Sequence, residues 1–419
     1  MKTQRSVWEK ESVEVKRVLD IFLKKFIQTG TLTVTYSDGT QSRYQGSKPG
    51  DEVGLRLHTT AAEKALALKP ALAFGEEYMN GTATPDGCSL ERLMHVLMYN
   101  LENSNLLSEE INSRMRYVGR LLKPLNSLKR SRKNVAHHYD LNGDLYRLFL
   151  DKDLQYSCAY FERNDMSLDE AQEAKKRHIA AKLRFDRPGL EVLDIGCGWG
   201  GMALTLAKDY GAKVLGITLS VEQLRVARER AKEAGLDDQV RFELLDYRTL
   251  HRTFDRIVSV GMFEHVGVAH YEAFFNNIRR CLKPDGVALI HSIGRMDGPG
   301  TTNPWIAKYI FPGGYSPALS EALAAVERTG LWVDDCEILR LHYAKTLAHW
   351  RQRFEAKRDK VRAMYDDRFV RMFELYLTAS ELAFRVQGHM NFQLQLTRSI
   401  DALPLTRDYM YEEEHNKAS

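Results

Sequence analysis

A chain of 419 residues is long enough for two or three domains. Its 44% hydrophobic content fits a globular protein, no apolar run approaches the ~20 residues of a membrane span, and the N-terminal MKTQRSVWEKESVEVKR lacks the apolar core of a secretory signal. A formal net charge of +4 is too mild to imply nucleic acid, and five scattered cysteines (Cys88, Cys158, Cys197, Cys281, Cys336) without metal-ligand spacing point to a reducing, cytoplasmic setting.

Residues 1–110 read as a small α+β domain. Val13, Val15, Val18, Leu19, Phe22, Leu23 and Phe26 recur at helical spacing over 10–28. TLTVTYSDGTQSRYQG then alternates around Asp38-Gly39, a hairpin signal, and VGLRLHT is a third strand. AAEKALALKPALAFGEEYMNG and SLERLMHVLMYNLEN read as helices around a turn rich in Gly, Thr, Pro and Asp. No catalytic cluster stands out there.

A basic linker follows at 111–135. Arg114, Arg116, Arg120, Lys123, Lys129, Arg130, Arg132 and Lys133 occur with no acid among them, interleaved with Leu121, Leu122, Leu125 and Leu128. Such a run suits an anionic membrane surface or a solvated interdomain linker. Pro124 breaks any single helix through it. A homodimer would bring two such patches to one vesicle and gain avidity.

From 136 to 419 strands and helices alternate: VLDIG, a helix from 201, KVLGITL, a helix over 221–235, VRFELLD, DRIVSVGMF, a helix over 270–282, then GVALIHSIG. This order predicts a doubly wound, mostly parallel sheet with its ligand crevice at the carboxyl ends of the strands. An irregular insertion at 295–326 contains Pro304, Trp305, Tyr309, Ile310, Phe311, Pro312 and Gly313, a content suited to covering an apolar substrate. Helical segments at 345–385 follow.

The run VLDIGCGWGG at 192–201 carries the cofactor argument. Val192, Leu193 and Ile195 form a strand with Asp194 near its end. Gly196, Gly198 and Gly200 then let the backbone turn tightly and approach a ligand. A dinucleotide site wants an acid at the tip of the second strand, but KVLGITLS ends in Thr218, Leu219 and Ser220. The third strand ends in Asp246, where a carboxylate can accept an adenine amino group. The combination favours S-adenosylmethionine over a nicotinamide cofactor.

MFEHVG puts Glu264 and His265 at the tip of the fourth strand, and HSIG puts His291 at the tip of the fifth. Glu264 and His291 can form a proton-handling pair; His265 alone reads as a structural loop histidine. No HExxH or CxxC spacing supports a metal. Upstream, HHYDLNGDLYRLFLD (137–151) and LQYSCAYF (154–161) could fold over the cofactor pocket, with Tyr139 and Asp140 in a tight polar turn.

These residues resemble the cyclopropane fatty acid synthases and the related mycolic acid methyltransferases. The matching runs are HYDLNGDLYRLFLD, QYSCAYF, LDEAQEAK, VLDIGCGWGG, GITLSVEQ, DRIVSVGMFEHVG, IHSIG, YIFPGG, HYAKTL and FELYL with Phe384-Arg385, covering about 135–395. The N-terminal domain resembles the family's lipid-associating extension. The resemblance implies methylene transfer from S-adenosylmethionine to a cis double bond of a phospholipid acyl chain, at the inner face of a membrane. It implies bicarbonate as general base, held by Glu264, His291 and Tyr343 and by the backbone amides of Cys158 and Ile293. It places the methyl donor on Tyr139 and Asp140, on the run Val192 to Gly200 (with Asp194, Gly196, Cys197, Gly198 and Gly200), on Thr218, Leu219, Ser220 and Gln223, and beside Asp246 and Tyr247. Gln223 would replace the missing ribose acid.

One departure stands out. The family often has a cysteine where this chain has Ser380, and serine cannot supply a thiolate. Either the protein is inactive or that cysteine is dispensable, and the complete bicarbonate set favours the second. A methyltransferase giving a methyl-branched or methylidene product uses the same pocket, and a lipid-binding protein without turnover is the alternative of a different class.

Overall fold

The computed structural model describes residues 2–103 and 143–418, with side chains from Glu14 to Glu414. The basic run at 111–135 and the pair Tyr139 and Asp140 lie outside the described residues. Two compact units divide the chain. One gathers the N-terminal elements with Thr302–Ile310 and Trp350–Gly388. The other holds the described elements from Gly143 to Thr301, with Phe311–His349 and the chain from His389 onward.

In the first unit a helix, Lys2–Phe26, precedes strands β1 (Thr29–Thr35), β2 (Gln41–Gln45), β3 (Lys48–Leu57) and β4 (Ala83–Pro85), ordered β2-β1-β3-β4. The Asp38-Gly39 hairpin is present between β1 and β2, which pair antiparallel. Strand β4 lies in the segment expected to be only a turn. The buried strand residues Leu32, Val34, Val53, Leu55 and Leu57 share a core with Leu19, Leu23 and Phe26 of the helix. Each such side chain contributes about 1.5–3 kcal/mol on burial. Helices Pro70–Asn80, Leu90–Asn103 and Asp367–Val386 also belong to this unit. So does Pro304–Tyr309, from the expected insertion. Its Trp305 is buried, with Nε1 donating to Met79 Sδ at 3.1 Å, and Tyr309 donates to Glu76 at 2.8 Å.

The second unit is built on seven strands: β5 (Glu191–Ile195), β6 (Lys213–Thr218), β7 (Val240–Leu244), β8 (Phe254–Val260), β9 (Leu282–Arg295), β10 (Trp332–Ile338) and β11 (His389–Thr397). Their order is β10-β11-β9-β8-β5-β6-β7. Strands β9 through β7 run parallel, and β11 and β10 are added antiparallel. The expected mostly parallel sheet is present; β10 and β11 extend it beyond the strands read from sequence. Consecutive strand residues face opposite layers. Ile257 and Ile290 pack with Phe263, Phe274 and Phe275, whereas Val258 and Leu289 pack with Ile179, Leu206 and Ala203. Both faces are therefore covered, and the open crevice falls at the strand ends. Among the described residues no helix is long and apolar enough to cross a membrane.

Candidate active site

At the carboxyl ends of β5, β6 and β8 lies a cavity of about 170 Å³. The glycine turn forms its floor. Gly196 and Gly200 take φ of +80° and +87°, a region that side chains disfavour, and a Cβ on Gly200 would sit 2.7 Å from Phe242 Cζ. Gly200 is also the N-cap of the helix Gly201–Tyr210, so the turn aims a helix start at the cavity.

Most of the residues expected at the methyl donor line this cavity: Asp194, Gly196, Cys197, Gly198, Thr218, Leu219, Gln223, Asp246 and Tyr247. Gly200 and Ser220 support it instead. The Ser220 side chain caps the helix Val221–Glu233 by accepting from the Gln223 amide. The Thr218 hydroxyl donates to Gln223 Oε1 at 2.9 Å, which fixes the amide at the strand tip. Asp246 holds Arg248: Oδ2 accepts from Nη2 at 2.7 Å and Oδ1 from Nε at 2.9 Å. An adenine amino group would have to share those oxygens.

Asp194 is the electrostatic centre of the cavity. It is 2% exposed, its Oδ2 has no hydrogen-bond partner, and burial pushes its pKa up to about 7. A buried carboxylate with an orphaned oxygen fits a cationic ligand group, such as the ammonium of an amino-acid tail. The residues present therefore fit S-adenosylmethionine.

None of the five residues expected at the base is among the cavity's lining residues, although Ser157 and His265, which precede and follow two of them, are. Two of the five are joined directly. The Ile293 amide donates to Glu264 Oε1 at 2.6 Å, leaving Oε2 without a partner. Burial pushes Glu264 up to about 7. Cys158 and Tyr343 are brought into register by their neighbours. Ala159 N–H donates to Thr346 Oγ1 at 3.0 Å, and Phe161 N–H to His342 Nδ1 at 2.9 Å. These two bonds lash the 157–161 loop to the helix His342–Glu355, which carries Tyr343.

His291 does not meet Glu264 through a hydrogen bond. Its two ring nitrogens face Asn391 Nδ2 (2.7 Å) and Gln393 Nε2 (3.1 Å) on β11. A neutral imidazole offers one N–H and one lone pair, so one of these amides turns its oxygen to the ring. That turn also gives a partner to one of Asn391 Oδ1 and Gln393 Oε1, which otherwise lack one. Burial holds His291 well below the usual histidine range, hence neutral. Asn391 and Gln393 were missed from sequence, though NFQLQL alternates polar and apolar residues as a strand does. His265 lines the cavity, and burial pushes its pKa down to about 4.

A family model described as "Mycolic acid cyclopropane synthetase" matches residues 126–394. This chain belongs to the mycolic acid cyclopropane synthetase family. A second model, of a domain of unknown function, matches residues 18–110. The chain's relatives include the cyclopropane-fatty-acyl-phospholipid synthase of Escherichia coli (strain K12), 39% identical over 85% of this chain and 90% of that one. They also include the tuberculostearic acid methyltransferase UfaA1 of Mycobacterium tuberculosis, 35% identical over 88% of each. Among solved structures, the mycolic acid cyclopropane synthase CmaA1 complexed with SAH and CTAB is 34% identical, with a TM-score of 0.60 over 63% of this chain and 97% of that one. This chain shares its fold with a coclaurine N-methyltransferase at 21% identity and a TM-score of 0.64, over 77% of this chain and 98% of that one. The fold is that of class I S-adenosylmethionine-dependent methyltransferases, and this chain is an S-adenosylmethionine-dependent enzyme of the cyclopropane-fatty-acid type.

Proposed function

We propose that this enzyme converts a cis double bond of a phospholipid acyl chain into a cyclopropane, with a bound bicarbonate as general base. The observation that carries the reading is the cavity at the strand ends, where the unpartnered Asp194 carboxylate stands beside the glycine turn. The names of the relatives supply the acyl substrate.

When bound, S-adenosylmethionine supplies an electrophilic methyl group. Asp194 would hold its ammonium, Gln223 its ribose, and Tyr247 would flank its adenine. An alkene is a weak nucleophile, so the protein's tasks are alignment and exclusion of water. The loop Leu154–Ser157 and Pro312-Gly313 wall the cavity.

Addition of a methyl leaves a cation on the acyl chain, and loss of a proton from the new methyl closes the ring. Bicarbonate, when bound, supplies a base for that proton. Two features support it. Glu264 Oε2 is a buried acceptor open to a bicarbonate hydroxyl, and the Cys158 amide has no acceptor among the described residues. The Ile293 amide is committed to Glu264, so it would act through that carboxylate. Tyr343 would orient the basic oxygen; His291 stays neutral with both ring nitrogens engaged by Asn391 and Gln393, so it would have to give up one of these amides to join it.

We further propose that the basic run at 111–135 and the N-terminal unit bring the enzyme to anionic headgroups on the cytoplasmic face of a membrane, as a homodimer. The test is mass spectrometry of fatty acids after incubation with S-adenosylmethionine and vesicles of cis-unsaturated phospholipid. A gain of one CH₂ in a chain that no longer takes up hydrogen under mild hydrogenation supports the reading. The same gain with the alkene retained gives the methyltransferase, whose named relative UfaA1 matches at 35% identity. No gain overturns both.

A further inference from the structure

Behind the loop that carries Cys158 stands a lysine that the mechanism above does not use. Lys175 lies in the helix Leu168–Leu183 and is 0% exposed. Its ammonium donates to Ser157 Oγ at 2.9 Å and to Gln155 Oε1. Both are neutral acceptors, and among the described residues no acid comes within ion-pairing reach of it. Its helix neighbours differ. Lys176 pairs with Asp153 at 2.7 Å, and Lys182 with Glu337. Asp151, the acid that acts on Lys175 most strongly, spends its oxygens on the amides of Asp153 (2.8 Å) and Gln155 (2.9 Å).

A buried ammonium without a carboxylate is costly unless an anion joins it. Burial lowers Lys175 only to about 8, so it stays largely charged at neutral pH. A second, independent observation lies one residue from Ser157: the amide of the fully buried Cys158 has no acceptor among the described residues. Buried orphan N–H groups are rare in folded proteins. The charge of Lys175 also acts on Cys158 and on His291. An unpaired cation and an orphan donor at one corner describe a site for a small oxyanion.

We infer that Lys175 is a positioning residue of this enzyme, the fixed counter-charge that draws a small oxyanion to the Cys158 amide. The inference rests on the proposed function only for the identity of that anion as bicarbonate. Ser157 couples the two parts, because it accepts from the ammonium and is covalently next to the amide. Lys175 thus offsets the desolvation of the anion without touching the reacting atoms.

The experiment is a titration of ¹³C-bicarbonate into the full-length enzyme followed by ¹³C line broadening, with half-saturating bicarbonate for turnover measured in parallel. Lys175→Met keeps the stem and removes the charge. Both quantities are expected to weaken by at least about tenfold, as for loss of a charge-assisted contact. SAH binding at pH 8.5 is expected to stay within about threefold, which shows that the variant is folded. Lys175→Arg restores charge and is expected to recover part of the affinity. Ser157→Ala keeps the ammonium and is expected to bind bicarbonate more tightly than Lys175→Met. Bicarbonate binding by Lys175→Met equal to the natural chain overturns the inference and leaves the proposed function standing. An equal loss in Ser157→Ala assigns the effect to the loop and also overturns it. No binding by the natural chain overturns the bicarbonate reading and this inference together, while cyclopropane formation would still be judged on its own assay.

Discussion

The Ile293 amide donates to Glu264 Oε1 at 2.6 Å, tying the tip of β9 to the short helix after β8. One carboxylate oxygen is consumed by the main chain, and Oε2 is left without a hydrogen-bond partner. Glu264→Gln keeps an acceptor for Ile293 and removes the charge. SAH binding is expected to stay within about twofold while turnover falls by about a hundredfold or more. Glu264 is pushed up to about 7, so kcat of the natural enzyme should fall as pH drops below 7 and the carboxylate takes a proton. Normal turnover in the Gln variant would remove Glu264 from the mechanism.

Asp194 is buried at a cost in stability. Burial raises its pKa from 3.8 to about 7, with the charge of Lys175 opposing. A folded pKa above the unfolded one means that the native state holds its proton longer. The associated stability is complete below about pH 4 and is lost as pH rises through 7. Asp194→Asn should therefore be more stable than the natural chain at pH 8, by about 2–4 kcal/mol in urea unfolding, with little difference at pH 4. SAH affinity should fall at least tenfold in the same variant, about the loss of one charged hydrogen bond. Equal stability at pH 8 would mean that the carboxylate already has a partner in solution.

The parts of this site that were legible in the sequence are those fixed by local constraint. The glycines after β5 must turn there, and Thr218, Ser220 and Gln223 sit where a strand ends and a helix begins. The pairing of Glu264 with His291 rests on the expectation that strand ends point at one crevice; neither lines the cavity, and each is bonded elsewhere. Asn391 and Gln393 were not legible, because their partner His291 lies 100 and 102 residues away and polar residues on a strand read as its solvated face. Here that face is buried. Lys175 was hidden for the same reason: EAKKRH reads as an exposed helical surface, yet Lys175, Lys176, His178 and Lys182 are all buried. Tyr343 has no local signal at all and was reached through resemblance alone.

Tyr160 lies between two histidines. Its ring stacks on His178 at 4.0 Å and on His342 at 4.9 Å, with interplanar angles of 9° and 0°. His178 is in turn held by Glu337 at 2.6 Å and by Glu414. The stack presses the Cys158 loop onto the helix that carries Tyr343. Tyr160→Leu should destabilise the fold by about 1–3 kcal/mol and lower kcat more than it weakens SAH binding. Tyr160→Phe keeps the stacked ring and should unfold within about 0.5 kcal/mol of the natural chain. Equal unfolding midpoints for the Leu and Phe variants would show that the stack does not hold the loop.

Ser380 and its neighbour Glu381 are expected to respond differently to substitution. Ser380 is half-buried in the helix Asp367–Val386, at the position where the family resemblance implies a cysteine. If no thiolate takes part in the reaction, Ser380→Cys and Ser380→Ala should both turn over within about twofold of the natural enzyme, a change of under 0.5 kcal/mol in barrier. Glu381 is buried and accepts from Arg351 Nε at 3.0 Å and Arg385 Nε at 2.8 Å. Glu381→Gln leaves two guanidinium groups sharing one neutral oxygen and should cost about 2–4 kcal/mol of stability. A tenfold rise in turnover for Ser380→Cys would give the thiol a role in the chemistry and make this chain an impaired member of its family.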